Sequence, residues 1–124
     1  MAKRLRREPP IRDDERVRFV AALKHIRRHF AKGTHYDFRN AADVAGMSAY
    51  HFHRRFRLCF GFTVKQEATR LQIEKAKQLL LAGRSCRAVA KECGFSTESH
   101  LTTRFQQIVG EVPTRWRNEQ RDES

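Results

Sequence analysis

Ala42-Asp43-Val44-Ala45-Gly46-Met47-Ser48-Ala49-Tyr50-His51-Phe52-His53-Arg54-Arg55-Phe56, closed by Gly61, decides the fold, because the chain writes a second version of it. Ala42 and Gly46 return 48 residues later as Ala90 and Gly94; Phe52, Phe56 and Gly61 return 49 residues later as Leu101, Phe105 and Gly110. The second copy has one extra residue between its glycine and its next helix. Each copy reads short helix, tight turn, longer helix, glycine, capped helix start.

Two helices that cross steeply need a small residue where they touch, and Ala42 and Ala90 supply it. The chain must then reverse, and Gly46 and Gly94 can take positive φ without a Cβ penalty. A short helix, a sharp glycine turn and a second helix form a helix-turn-helix unit, whose second helix is presented outward to a major groove. A stack of two α-solenoid repeats is the competing architecture. Such stacks need about three repeats to stabilise themselves, and one would leave the charge of the chain unexplained.

Outward from the repeat, the pattern stays helical. Upstream, Val17, Val20, Leu23, Ile26 and Phe30 fall near one face of a 3.6-residue period, after acidic Asp13, Asp14 and Glu15 and before Gly33. Asp37 caps the short helix that enters the first glycine turn, and Ser48 caps the helix from Ala49 to about Phe60. Thr63-Val64-Lys65-Gln66 is a capping box that opens a long helix to Ala82, with Leu71, Ala76, Leu79 and Leu80 on its apolar face. Ser85 caps Cys86–Cys93, Ser96 or Thr97 starts a helix carrying Leu101, Phe105, Ile108 and Val109, and Pro113 suits the first turn of a last helix holding Trp116. No stretch alternates at period two. The expectation is an all-α fold of about seven helices, forming two helix-turn-helix subdomains joined by a long linker helix. Its parts are a basic mobile arm (1–13), a first subdomain (14–62), the linker helix (63–83), a second subdomain (84–118) and a polar tail (119–124). A helix over 64–82 is about 28 Å long, compatible with the roughly 34 Å between successive major grooves on one DNA face.

The chain has 124 residues, 26 Lys+Arg and 14 Asp+Glu, for a net charge of +12. A polyanion is the commonest reason for such an excess, with nucleic acid ahead of an anionic membrane surface or an acidic protein. Apolar runs such as Phe19–Leu23 and Leu79–Ala82 are too short to span a bilayer, and the basic start has no apolar run after it, so neither a membrane protein nor a signal peptide is expected. Cys59, Cys86 and Cys93 have no disulfide or zinc spacing and fit small core positions in a reducing, cytoplasmic setting. His25 and His29 are four apart but lack a third ligand at a convincing distance, so they read as solvent-facing, and no metal or cofactor is expected. With no Gly-rich phosphate loop and no nucleophile–base pair, an enzyme is not expected either.

Residues 14–118 resemble the DNA-binding domain of the AraC/XylS family of bacterial transcription regulators. The resemblance rests on Ala42-x-x-x-Gly46-Met47-Ser48-x-Tyr50-His51-Phe52-His53-Arg54-Arg55-Phe56, Gly61-Phe62-Thr63, Ala76-x-x-Leu79-Leu80, Val89-Ala90-x-x-x-Gly94-Phe95, Arg104-Phe105 and Gly110-x-x-Pro113-x-x-Trp116-Arg117. The length is similar to that of the small single-domain activators of the MarA and SoxS kind. The resemblance implies monomeric binding to an asymmetric double-stranded DNA site, activation and recruitment of RNA polymerase. It also implies base contacts from Tyr50, His53 and Arg54 in the first recognition helix and from Glu98, Ser99, His100, Thr102 and Thr103 in the second. Glu67 stands where the family usually has an aromatic residue, Gln72 where it has an arginine, and Thr103 where an arginine is frequent. Glu98 puts an anion opposite phosphates, with cytosine N4 as the base group suited to it.

By chemistry, Arg54 is the strongest base reader, since arginine pairs bidentately with guanine O6 and N7; its alternative is a phosphate contact. His53 and Tyr50 lie off the Phe52/Phe56 stripe, while His51 is assigned to a helix neighbour or solvent. Arg57, Lys65, Arg104 and Arg115 are candidates for phosphate, which positions without specifying sequence. The rival to a sequence-specific regulator is a basic helical module that coats nucleic acid without preference; competitor DNA separates the two.

Overall fold

The structure, a computed structural model, describes residues 8–32 and 38–122. Among them are seven α-helices and no strand: α1 (Asp13–Lys32), α2 (Phe38–Ala45), α3 (Ala49–Phe60), α4 (Val64–Leu81), α5 (Cys86–Glu92), α6 (Glu98–Val109) and α7 (Pro113–Asp122). The Gly33 stop, the Asp37 cap, arm residues 1–7 and tail residues 123–124 lie outside the described residues.

Helix starts follow the capping chemistry. Ser48, Ser85 and Thr97 accept the backbone N–H three residues on, opening α3, α5 and α6. At α4 the box is complete: Thr63 Oγ1 accepts from Gln66 N at 3.0 Å, and Gln66 Oε1 accepts from Thr63 N at 2.8 Å. The repeated glycine turns also share one geometry. Met47 N donates to Ala42 O at 3.1 Å and Phe95 N to Ala90 O at 2.9 Å, across glycines at φ 69° and 80°. Both are Schellman endings, in which the N–H beyond the glycine closes on the carbonyl five residues back. The spacing of alanine and glycine in the repeat is therefore the spacing of a hydrogen-bonded turn.

Two apolar cores result. Phe19, Ala22, Leu23, Ile26 and Phe30 of α1, Ala41, Ala42 and Ala45 of α2, and Phe52 and Phe56 of α3 form the first, joined by Val64 and Ala68 of α4. Val89, Ala90, Cys93, Phe95, Leu101 and Phe105 form the second, joined by Ile73, Ala76 and Leu80 of the same helix. α4 is thus a structural member of both subdomains rather than a spacer, and its 18 residues make a rod of about 27 Å.

The phase of α1 differs from the expected one. Val17 is 70% exposed, while Phe19 is fully buried, so the inward stripe runs Glu15, Phe19, Ala22/Leu23, Ile26, Phe30. A phenylalanine gains more from burial than a valine, and the stripe contains a carboxylate that its apolar pattern gives no reason to include. Ile108, expected on the apolar face of α6, is half exposed, and Val109 packs only partly. Trp116 is half-buried against Phe105, ring centroids 5.6 Å apart, with Lys77 Nζ 5.7 Å from its ring. Of the cysteines only Cys93 is fully buried, and it caps α5 instead of lying inside it. α7 continues to Asp122, so residues 119–122, expected in a polar tail, are helical. Residues 8–12 are equally well tied down: Pro9 and Pro10 carbonyls accept from Arg55, and Ile11 packs on the first core.

Candidate nucleic-acid interface

α3 turns Phe52, Arg55 and Phe56 inward and leaves Tyr50, His51, Arg54 and Arg57 exposed. Tyr50, Arg54 and Arg57 follow at four- and three-residue steps and make one polar stripe along the helix. Tyr50 is 75% exposed, and its hydroxyl accepts from Arg54 Nη1 at 3.2 Å. Arg54 Nε also forms an ion pair with Glu8. His53 is half-buried, edge-on to Phe52 at 5.1 Å, and burial lowers its pKa from the ordinary 6.5. Burial thus favours the neutral ring, which presents a donor on one nitrogen and an acceptor on the other.

α6 presents Glu98, Ser99, His100 and Thr103 to solvent, with Thr102 half-buried. Thr102 Oγ1 donates to Glu98 O at 3.0 Å, and His100 Nδ1 lies 3.2 Å from Ser96 Oγ with its ring edge-on to Phe95. Ser99, Thr103 and the Glu98 carboxylate are the more outward members of this group. Its chemistry is shorter and less cationic than that of α3.

Lys65 and Arg104 come together. They line one groove of about 730 Å³, where the first turns of α4 meet the end of α6, along with Arg27, Arg70, Gln66 and Gln107. Arg57 lies on the exposed stripe of α3, whereas Arg115 stands on α7 paired with Glu119 at 3.3 Å. Arg87 and Lys91 also line a cavity of about 450 Å³ beside Ser96, Thr97 and Glu98 at the start of α6. These two were not singled out from sequence; in a chain of charge +12, two cations on a short helix carry no distinguishing pattern.

Three charged side chains behind the interface are buried and fix its parts. Arg55 donates from Nε and Nη2 to Glu15 at 3.0 and 2.7 Å, and from Nη1 and Nη2 to Pro9 O and Pro10 O at 2.8 and 3.3 Å. The Arg55 bonds pull the Glu15 carboxyl down to about 2, against a burial effect that raises it. Glu67 is also buried; burial pushes its carboxyl up, but bonds from Arg70 at 2.7 and 3.0 Å and Arg27 at 2.9 Å prevail and lower it. Through Arg27 it ties α1 to the first turn of α4. Gln72 Nε2 donates to Cys93 O at 2.9 Å, fastening the second glycine turn to α4. The two departures noted at Glu67 and Gln72 thus have direct structural roles. Among the described residues, no group of three or more His, Cys, Asp or Glu side chains could hold a metal ion, and no helix is long and apolar enough to cross a membrane.

Residues 41–119, well over half of the chain, match a family described as a helix-turn-helix domain. The probable transcriptional regulator LumQ of Photobacterium leiognathi is 29% identical over 103 residues, which are 82% of this chain and 41% of LumQ. The chain thus spans less than half the length of that curated relative. The DNA-binding domain of AdpA, a global transcriptional factor solved in complex with a target DNA, is 29% identical at a TM-score of 0.67, covering 90% of this chain and 96% of that one. A regulator with an AraC-type DNA-binding domain from Chromobacterium violaceum shares the fold at a TM-score of 0.74, with 18% identity over 87% of this chain and 96% of that one. With its paired glycine turns and shared α4, the chain belongs to the AraC/XylS family of helix-turn-helix transcription regulators.

Proposed function

We propose that the chain is a sequence-specific DNA-binding transcription regulator that reads two adjacent major grooves as a monomer. The observation that supports it best is α4. Because one continuous helix is built into both cores, α3 and α6 are mounted on a single rod, and one protomer supplies two reading heads at a fixed spacing. Two-fold dimers achieve the same with two chains, and their sites must then be palindromic; here the site is asymmetric. Tyr50, His53 and Arg54 read bases in one groove; Glu98, Ser99, His100, Thr102 and Thr103 read bases in the next. Arg57, Lys65, Arg104 and Arg115 take phosphates, joined by Arg87 and Lys91. AdpA, which binds DNA through a domain of this fold, supports the same use of the surface. Activation through contact with RNA polymerase, in the cytoplasm of a bacterium, completes the reading; it involves no catalysis and no cofactor.

Selection of binding sites from random duplex DNA tests this. The expected result is two blocks of preferred bases one helical turn, about 10.5 base pairs, apart. Arg54→Ala should relax preference within one block only, at a cost of about 1–3 kcal/mol. Enrichment of no sequence, with binding erased by excess nonspecific DNA, would instead identify a charge-driven coating module.

A further inference from the structure

Arg54 is gripped from a direction outside the helix-turn-helix unit. Glu8, five residues ahead of the start of α1, bridges two consecutive arginines of α3: one carboxylate oxygen pairs with Arg54 Nε on the exposed face, the other lies 3.4 Å from Arg55 Nη1 on the buried face. Glu8 itself is held in place. The carbonyls of Pro9 and Pro10 accept from the Arg55 guanidinium, which Glu15 anchors in the first core. Two successive prolines fix their φ angles, so the segment has little freedom to swing away.

We infer that Glu8 is a specificity-determining positioning residue, which orients Arg54 toward a base edge and away from the phosphate backbone. The inference rests on the DNA-binding reading above. Arginine has five N–H donors in a planar fork. The Glu8 carboxylate lies against the Nε side as an ion pair and Tyr50 takes one hydrogen on Nη1, so the open end of the fork is Nη1 with one hydrogen and Nη2 with two, an end-on pair of donor nitrogens. That end-on pair matches the O6 and N7 acceptors of guanine. The same carboxylate discourages the competing use of Arg54. A phosphate that approached the guanidinium from the Nε side would meet a negative charge already in place, whereas a base edge carries no net charge. Glu8 therefore lowers the affinity of this helix for DNA at large while sharpening its choice of base.

The test is a competition titration of the full chain on its selected site, on the same site with the Arg54-dependent base pair replaced, and on nonspecific DNA. Glu8→Gln keeps the shape of the side chain and leaves the Pro9, Pro10 and Glu15 bonds to Arg55. The expected result is tighter binding to nonspecific DNA, with discrimination at the Arg54-dependent pair reduced about two- to fivefold, the range of a partly exposed ion pair, and discrimination at other positions unchanged. In an Arg54→Ala background the same Glu8→Gln change should leave discrimination where Arg54→Ala put it. An equal gain or loss on all three DNAs would overturn the inference, since Glu8 would then act as bulk charge. So would an effect on discrimination that persists without Arg54. A wild-type chain that shows no site preference would instead sink the DNA-reading proposal itself, so the two failures are distinct.

Discussion

Replacing Arg55 by methionine removes the cation that neutralises Glu15 inside the first core. Both side chains are buried, at 5% and 6% exposure, and five hydrogen bonds or close contacts converge on the guanidinium. Breaking one partner of a buried pair costs about 3–5 kcal/mol, because the remaining charge is stranded. For a domain of this size, each kcal/mol shifts Tm by roughly 3–6 °C, so the expected fall is on the order of 10–25 °C. The pH dependence should weaken. In the wild type Glu15 is lowered from 4.5 to about 2 by Arg55, so its contribution is complete above the unfolded value and is lost as pH falls through 4.5 toward 2. In Arg55→Met the burial effect is opposed only by the Arg12 N–H bond and charge, so the carboxyl rises above its wild-type value, and the deficit shrinks as pH falls through the raised value toward 2. Glu15→Leu combined with Arg55→Met should recover most of the loss, since a well-packed apolar pair replaces a buried ionic one at little cost. Urea unfolding followed by far-UV circular dichroism, at several pH values, measures the wild type and both variants. A deficit below about 1 kcal/mol, or one constant from pH 7 down to pH 2, would refute the view that the pair is buried and mutually dependent.

Two further outcomes follow from the helix starts and the grooves. Thr63→Ala removes one side of a complete capping box and should cost about 1 kcal/mol by urea midpoint; because α4 belongs to both cores, fluorescence of Trp116 in the second core should report the loss as well as circular dichroism does. Lys65→Ala and Arg104→Ala should each reduce the slope of log affinity against log salt by about 0.9, with the selected base sequence unchanged, as measured by titration at several salt concentrations. A changed base preference in either would move that residue from phosphate to base readout.

Much of the architecture was legible because it is written in local chemistry. Ser48, Thr63 and Ser85 each cap the helix they were expected to open, and of the two residues offered for α6, Ser96 and Thr97, it is Thr97 that caps, since a hydroxyl three residues before an unsatisfied N–H is sufficient. The repeated Ala-x-x-x-Gly was readable as a turn because its hydrogen bond closes within six residues. Val17 went wrong for an equally definite reason. The true inward stripe of α1 begins with Glu15, and only the distant Arg55 makes a carboxylate acceptable there. Arg55 itself, one step from Arg54 along α3, was given no role of its own by the sequence reading. The sequence held both, but neither residue type alone distinguishes a buried ion from an exposed one.

The repeat, the caps and the charge excess determined that the chain is helical, twofold in organisation and suited to a polyanion, because caps and turns depend on neighbours within one or two turns, and repeat and charge are properties of the residue order and composition alone. Which arginine faces out and which faces in, how Glu67 and Gln72 fasten α4 to its two subdomains, and how Glu8 reaches Arg54 were decided only in three dimensions. Those contacts join residues 21 to 47 positions apart. Their energies come from burying charge, and whether a charge is buried depends on how the whole chain packs around it.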